Sequence, residues 1–419
     1  MRNPENHHLV RPFRALRPIP ERAQEVAAPP YDVLNTEEAR ALVSDNPWSF
    51  LHISKPEIDL PPGTDVYAPE VYKKAAENMS RMISEGVLER DPEPYYYIYR
   101  LRMGDHVQTG IVGAGSIDAY RKNIIRRHEF TRPDKEDDRV RQIEAVNAQT
   151  GPVFITHKPN GNLAEIITKA TADDPAYSVI GEGGVEHSLW VVSDADDIQT
   201  VTDAFDELSV IYIADGHHRS AAASRVATAR SDADPSYKGD ESYNEFLIVC
   251  FPEKEVQILD YNRVVRDLGG LSEQEFLSRV EEVFDVKKYY AVAKPEASKE
   301  FGMYLSGQWY KLTLKAELNL KSTPMERLDI SILTSHLLEP VLAISDPRID
   351  PRIDFIGGIR GMAELEKRVN GGEWAVAFAL YPTSMTELMA VADADQVMPP
   401  KSTWFEPKLA DGIISLVLD

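Results

Sequence analysis

The segment VIYIADGHHRSAAASRVA, residues 210–227, constrains the fold of this chain more than any other stretch. Its first five residues form an apolar run that predicts a buried strand, and the alanine-rich residues after His218 predict a helix. Asp215 and Gly216 come where the strand ends. A strand that turns directly into a helix is typical of α/β proteins, which bind ligands at the carboxyl ends of their strands.

This junction carries residues suited to an anion. The start of a helix presents backbone N–H groups without helical partners and the positive end of the helix dipole. Gly216 permits a tight turn and the close approach of a ligand, and Arg219 can hold phosphate oxygens at two points. Asp215 could bind a metal ion or orient a histidine. Adjacent histidines point in different directions on a helix, so His217 and His218 do not favour a zinc site.

The surrounding elements predict a mixed α/β protein of the α+β class. The strands VFITH, HSLWVVS and VIYIAD alternate with helices in the middle third. Two hairpins are predicted, from YYYIYRLRM with VQTGIVGAGSI and within NEFLIVCFPEKEVQILDYNRVVRD. We place a first unit at 1–240, with an insertion at about 90–150, and a C-terminal α/β lobe with a closing tail at 241–419. A ligand cleft between them is expected to collect residues 215–219, the loop 126–139 and the tail segment MPPKST.

Composition excludes several classes of function. The 419 residues include 46 basic and 68 acidic ones, and the formal charge of −22 repels duplex DNA, so no DNA partner is expected. Cys250, the single cysteine, excludes an internal disulfide and multi-cysteine metal sites. No stretch reaches the roughly 18 apolar residues that span a bilayer, and the first residues lack the apolar core of a signal peptide. We therefore expect a soluble, cytoplasmic protein with no membrane partner.

Three further segments carry residues suited to a phosphate-bearing ligand. RRHEFTRPDKEDDR, residues 126–139, places positive charge in an acidic chain, and its Glu129 could accept the proton of an attacking hydroxyl. In MPPKSTWFEPK, Lys401 could reach a phosphate, although the glycines of a Walker loop are missing. In VAAPPYDV, Asp32 could bind an amino group or Mg²⁺. Ordinary structure could also explain the three segments, as a solvated charged loop, a C-terminal strap and an Asx-type turn.

Four motifs together resemble the domain-of-unknown-function 1015 family: ADGHHR followed by alanines, PPYDV near the start, RRHE in the middle and MPPKSTWFEPK near the end. The resemblance covers essentially the whole chain, and the motifs occur in family order. DGHHR is also similar to an element of free-serine kinases in the ParB/sulfiredoxin-like superfamily, where it lies at a helix N-terminus and contacts nucleotide phosphates. The resemblance implies a ParB/sulfiredoxin-like α/β core. It further implies transfer of a phosphoryl group from ATP or ADP, with Mg²⁺, to the hydroxyl of free L-serine or a similar small acceptor.

These arguments assign a role to each candidate residue. The expected catalytic residues are Glu129, Asp215 and His218, and Asp215 is also the expected metal ligand. The expected nucleotide and phosphate ligands are Gly216, His217, Arg219, Ser220, Arg127, Lys401 and Ser402. The expected substrate ligands are Tyr31, Asp32 and His128. Two other functions stay open, a nucleotide-binding or sensing module that acts through protein partners and a nucleotide hydrolase, and a homodimer stays open as well.

Overall fold

The fold is described for residues 8–318 and 323–419, from a computed structural model. The chain divides into two compact units: the first is Met1–Val256 together with Pro407–Asp419, and the second is Gln257–Glu406. The second unit is therefore one uninterrupted piece of chain, whereas the first is built from both ends of the sequence.

The strands and α-helices are numbered in chain order. The strands are β1 (Val10–Arg11), β2 (Ala15–Pro18), β3 (Leu88–Arg90), β4 (Tyr96–Met103), β5 (His106–Ser116), β6 (Ile125–Arg126), β7 (Ala148–Gln149), β8 (Val153–His157), β9 (Tyr177–Ile180), β10 (Glu186–Val192), β11 (Ile211–Asp215), β12 (Glu245–Pro252), β13 (Gln257–Leu259), β14 (Tyr261–Val265), β15 (Phe284–Tyr289), β16 (Glu300–Leu305), β17 (Gln308–Leu314), β18 (Ile353–Gly357), β19 (Val376–Leu380), β20 (Trp404–Glu406) and β21 (Ser415–Val417). The helices are α1 (Ala23–Val26), α2 (Thr36–Leu42), α3 (Leu51–Ser54), α4 (Pro69–Ser84), α5 (Ile117–Arg121), α6 (Pro133–Val146), α7 (Gly161–Ala170), α8 (Ala195–Asp206), α9 (His217–Ala233), α10 (Glu273–Val283), α11 (Asp329–Leu333), α12 (Met362–Asn370) and α13 (Met385–Asp393).

A large mixed sheet forms the frame of the first unit. Its strands follow the order β6-β11-β8-β12-β5-β4-β10-β9, and β1 pairs with β5. β11 runs parallel to β6, β12 runs parallel to β8, and the other neighbours are antiparallel. The predicted β4–β5 hairpin is confirmed. It lies in the middle of this sheet, where β5 also pairs with β12.

A smaller sheet joins the two ends of the chain within the first unit. Its order is β3-β2-β21-β7, so the C-terminal strand β21 lies between β2 and β7. Beside it, apolar residues of the helices α3 and α4 form a core with Phe50 and Leu88. The helix α4 is amphipathic, and its residues Met79 and Met82 are buried in that core.

The second unit has its own sheet and its own core. Six antiparallel strands follow the order β15-β17-β16-β19-β14-β18, and β13 pairs with β20. The core of this unit includes Val264, Tyr304, Trp309 and Leu365. The chain passes from β18 through α12 to β19, and both strands pair with β14.

The observed division of the chain differs from the expected one. The sequence places the boundary at 240–241, whereas the structure places it after Val256 and assigns the closing tail to the first unit. The predicted second hairpin was wrong, because β12 pairs with β5 and β8 in the first unit while β14 pairs with β18 and β19 in the second. Alternating apolar residues identify strands but do not identify their partners. Residues 1–7 of the expected first unit lie outside the described residues.

The mixed α/β class predicted from the sequence is confirmed by this arrangement of helices and sheets. Cys250 is fully buried on β12, in agreement with an inert thiol. Within the two described ranges, the helices lack the combination of length and apolar character that a membrane crossing requires.

Candidate functional site

The predicted strand–turn–helix junction is confirmed: β11 ends at Asp215 and α9 begins at His217. Gly216 joins them with a φ of +100°, in the left-handed region that favours glycine. A Cβ atom there would lie 3.3 Å from Val153 Cα and 3.2 Å from Arg219 Nε. Backbone geometry and crowding therefore both disfavour a side chain at this position. The first turn of α9 follows directly on the end of a buried strand.

Asp215 lies among cations. Its Oδ1 accepts a hydrogen bond from the Gly216 N–H at 2.8 Å, and its Oδ2 lies 3.2 Å from Lys408 Nζ. Burial by itself raises the pKa of this carboxyl, but the charges of Lys408 and Arg219 outweigh burial and hold the pKa well below its ordinary value. Asp215 is therefore ionised at neutral pH. An ionised carboxylate is the type of ligand that Mg²⁺ prefers, so the donor chemistry fits the predicted metal role.

Arg219 occupies the first turn of α9 and is half-buried. Its Nη1 donates a hydrogen bond to the Pro152 carbonyl oxygen. A Cβ atom on Gly151 would lie 3.3 Å from Arg219 Cδ and 3.4 Å from Asp411 Oδ1, so the guanidinium stem and this carboxylate flank the same glycine. Burial lowers the pKa of Arg219, but the negative charge of Asp215 and of further acids raises it above its usual value. The guanidinium therefore stays charged.

Asp411 is an acid that the sequence argument missed. It is 2% exposed, and its backbone forms an antiparallel bridge to Ala28 through hydrogen bonds of 2.9 and 3.0 Å. Burial raises the pKa of Asp411 to about 7, although Arg219 and Arg139 oppose this shift. The tripeptide Ala-Asp-Gly occurs at 410–412 as it does at 214–216, and both of its glycines have a positive φ. That repetition was the available sequence signal.

Two predicted substrate ligands, Tyr31 and Asp32, lie close enough to Arg219 to influence its pKa. The ring centroid of Tyr31 is 3.8 Å from Arg139 Cζ, and Arg139 Nη2 donates to Asp138 Oδ2 at 2.6 Å. Burial raises the pKa of Tyr31 to about 12, so its hydroxyl stays protonated at neutral pH. Asp32 is exposed, and its charge raises the pKa of Arg219.

His128 and His217 pack against each other inside the first unit. Their ring centroids are 4.5 Å apart in an edge-to-face arrangement, and the residues are 2% and 4% exposed. His217 Nε2 accepts a hydrogen bond from the His128 N–H at 3.4 Å, and His217 Nδ1 lies 3.7 Å from Glu129 Oε2. Burial lowers the pKa of both rings, that of His128 to about 4, so both are neutral at pH 7. Glu129 is exposed at the edge of this pair.

The other predicted residues near this helix have different surroundings. His218 diverges from His217, as helical geometry requires, and its Nε2 accepts the Arg132 N–H at 3.0 Å. This bond occupies Nε2, so a catalytic role for His218 would use Nδ1. Ser220 is fully buried and donates to the His217 carbonyl oxygen at 3.0 Å, which does not favour contact with a phosphate. Arg127 is exposed, and its Cζ lies 4.9 Å from the ring centroid of Tyr120.

Lys401 and Ser402, both predicted phosphate ligands, lie in the second unit. The Lys401 carbonyl oxygen accepts a hydrogen bond from Arg263 Nη2 at 2.7 Å. Their approach to the junction at 215–219 stays a prediction. The lysine that contacts Asp215 is Lys408, seven residues further along the same tail segment, which the sequence argument did not single out.

The first unit also contains a cavity of 440 Å³. Three arginines, Arg11, Arg14 and Arg90, line it together with Glu245. Its lining includes none of the predicted site residues, so the cavity and the junction at Asp215 are distinct features of the first unit.

Together, the fold and this cluster define a mixed α/β protein whose polar, cation-lined site lies where a buried strand meets a helix N-terminus. The model of one protein family, described as "Protein of unknown function (DUF1015)", matches residues 10–331. The chain belongs to this family, as its motifs predicted. The match ends before MPPKSTWFEPK, the last of the four motifs. No curated protein matches the chain.

Several solved structures are similar to the chain at low identity. Free serine kinase in complex with AMP is 12% identical, with a TM-score of 0.35, over 71% of this chain and 86% of that one. A conserved hypothetical protein from Pyrococcus furiosus is 12% identical, with a TM-score of 0.33, over 72% and 93%. C-terminally truncated SbnI from Staphylococcus aureus is 11% identical, with a TM-score of 0.39, over 72% and 85%. These scores do not transfer an activity to this chain.

Proposed function

We propose that this protein is a small-molecule kinase that transfers a phosphoryl group from ATP or ADP to the hydroxyl of free L-serine or a similar small acceptor. The observation that carries the proposal is the convergence of Arg219, Lys408 and the N-terminus of α9 on the ionised Asp215. Phosphoryl transfer needs cations and N–H donors around the transferred group, a metal ligand, and a base near the acceptor. The first unit supplies a candidate for each.

In this proposal the donor phosphates lie at the start of α9. The N–H groups of its first turn and the positive end of the helix dipole attract an anion, and Gly216 permits the tight turn that precedes them. Arg219 offers a two-point contact, and Lys408 offers a point charge. Asp215 would hold Mg²⁺, which when bound neutralises charge on the phosphates.

Glu129 serves as the base for the acceptor. The acceptor oxygen attacks phosphorus, the bond from phosphorus to the nucleotide oxygen breaks, and the hydroxyl proton passes to Glu129. His217 Nδ1 lies 3.7 Å from Glu129 Oε2, just beyond hydrogen-bond distance. The exposed Asp32 offers a carboxylate to the ammonium group of an amino acid, beside the protonated Tyr31. His128 is buried, so it supports His217 and does not contact the acceptor.

The reaction is tested by ³¹P NMR of the protein with Mg²⁺, L-serine and either ATP or ADP. We expect O-phosphoserine with at least one donor. Glu129→Gln should lower the rate roughly 10²-fold or more, because it removes the base while keeping the side-chain shape. Glu144→Gln is the matched control, since Glu144 lies near the end of α6 and forms an ion pair with Arg230.

Every other outcome of that assay would contradict the kinase proposal. Absence of phosphoserine with both donors would overturn the proposal. Phosphate release that ignores added serine would indicate a nucleotide hydrolase. Tight nucleotide binding without turnover would indicate a sensing module that acts through protein partners.

A further inference from the structure

Three metal-ligating side chains of the first unit meet where β6 ends and α9 begins. His128, Glu129 and His217 each offer one ligand atom, and these atoms lie within 4.8 Å of one another. The side chains of the adjacent residues His217 and His218 diverge on α9, as the sequence predicted. The fold instead brings His217 to a histidine that is distant in sequence, with the rings edge to face.

One ring nitrogen of His128 gives independent evidence that the group formed by His128, Glu129 and His217 lacks a ligand. Its Nδ1 atom is buried and has no hydrogen-bond partner in the part of the chain that the structure describes. The same ring forms a hydrogen bond to the backbone of Ile213. Metal-bound histidines commonly use one ring nitrogen for the ion and the other for a backbone carbonyl. A buried polar atom left without a partner is otherwise costly.

We propose that His128, Glu129 and His217 bind a divalent transition-metal ion of the Zn²⁺ class. Imidazole nitrogen suits zinc, iron, cobalt and related ions, whereas Mg²⁺ prefers oxygen ligands alone, so this site is distinct from the Mg²⁺ role of Asp215. Two imidazoles and one carboxylate leave a coordination position for water or another ligand. Glu129 is exposed, so the ion enters at its side of the cluster.

The distance between two of the three ligand atoms is close to that of a loaded site. His217 Nδ1 and Glu129 Oε2 are 3.7 Å apart. Two neighbouring ligands of a tetrahedral zinc ion lie roughly 3.3 Å apart, because each bond is about 2.0–2.1 Å long. The exposed Glu129 side chain can make this small movement. Binding through His217 Nδ1 puts the ring proton on Nε2, so the long 3.4 Å bond from the His128 N–H is lost.

The metal site and the proposed reaction compete for Glu129, so Glu129 can act as the base only when the metal site is empty. A carboxylate that holds a metal ion cannot at the same time accept a proton from the acceptor. Metal binding is therefore measured on the protein alone, without nucleotide or serine. Its failure would leave the kinase proposal standing, and failure of the kinase assay would leave the metal site standing.

The test is titration of the metal-free full-length protein with Zn²⁺ by calorimetry and with Co²⁺ by visible absorption. We expect one ion per chain in the wild type and ligand-field bands with Co²⁺. His217→Ala and Glu129→Gln should each weaken binding by more than about 10-fold, since losing a ligand costs at least as much as losing a supporting contact. His218→Ala, on the neighbouring residue, should bind like the wild type.

Glu129→Gln and His218→Ala still test the proposal if His217→Ala fails to fold. Glu129→Gln preserves shape at an exposed position, so its stability is expected to match that of the wild type. A wild type without a site of one ion per chain would overturn the proposal. So would Glu129→Gln with wild-type affinity, or His218→Ala with the same loss as the ligand variants.

Discussion

Arg219 is the residue on which anion binding at the first turn of α9 depends most. Its guanidinium is charged, and it lies where the helix N-terminus already favours an anion. Arg219→Ala is expected to weaken ADP binding by roughly 10- to 100-fold, the equivalent of one charge-assisted hydrogen bond of about 1.5–3 kcal/mol. Isothermal calorimetry measures this. Arg225→Ala is the control on the same helix, because Arg225 forms ion pairs with Glu136 and Asp137. Equal affinities in the two variants would contradict the role of Arg219.

Asp411 gives the first unit a dependence of stability on pH. Its folded pKa of about 7 is raised above the unfolded value, so the native state binds more protons than the unfolded state between these values. The contribution of Asp411 to stability is therefore full below the unfolded pKa and is lost as pH rises through about 7. Asp411→Asn is expected to flatten this fall. Urea unfolding between about pH 5 and pH 8 measures the slope.

A second, partly buried acid produces a similar effect on stability and must be separated from that of Asp411. Burial also raises the pKa of Glu245 to about 7, although Arg11 opposes the shift, so Glu245 contributes a slope of the same sign. Glu245→Gln is the comparison variant, and the two slopes should combine in the double variant. A pH slope that Asp411→Asn leaves unchanged would show that Asp411 is ionised in the folded protein.

At the scale of elements, the turn between β11 and α9 depends on Gly216. Gly216→Ala is expected to destabilise the protein by more than about 1 kcal/mol, because the residue has a positive φ and its Cβ would crowd Val153 and Arg219. Gly239→Ala is the matched control: its φ is +97°, and the nearest atom to its Cβ lies 4.0 Å away. Because both glycines have nearly the same positive φ, the difference between the two variants in the free energy of unfolding reports the crowding alone. An equal loss of stability in both variants would contradict a contribution from crowding at Gly216.

The same elements show what a sequence can predict. The junction was predictable because a short apolar run, Gly216 and an alanine-rich stretch are adjacent in the chain. The hairpin predicted from β12 and β14 failed because the two strands lie on opposite sides of the unit boundary, where no turn joins them as partners. Local pattern identifies an element, whereas the pairing of strands depends on the packing of the whole unit.

At the scale of the whole molecule, distant contacts explain which site residues were missed. Lys408 reaches Asp215 from the other end of the first unit, and the pairing of His128 with His217 joins two segments 89 residues apart. The formal charge of −22 conceals the cations at this site, since composition averages over the chain. Only folding brings Lys408 and Arg219 around one carboxylate.

The interrupted first unit leads to a prediction about the whole chain. Gln257 and Glu406 are paired in neighbouring strands at the two ends of the second unit, so the chain leaves the first unit and returns to it at nearby points. Residues 257–406 produced alone are expected to unfold cooperatively, because they contain a complete sheet and core. Circular dichroism during thermal unfolding measures this. A fragment without a cooperative transition would show that its core needs the rest of the chain.

In the proposed reaction, the junction of β11 and α9 receives the phosphates of a nucleotide. A crystal structure of the protein with ADP and Mg²⁺ tests it most directly. We predict phosphate oxygens within about 3 Å of Arg219 nitrogen atoms and of the N–H groups in the first turn of α9. Phosphates bound elsewhere, for example in the 440 Å³ cavity lined by Arg11 and Arg14, would contradict the claim.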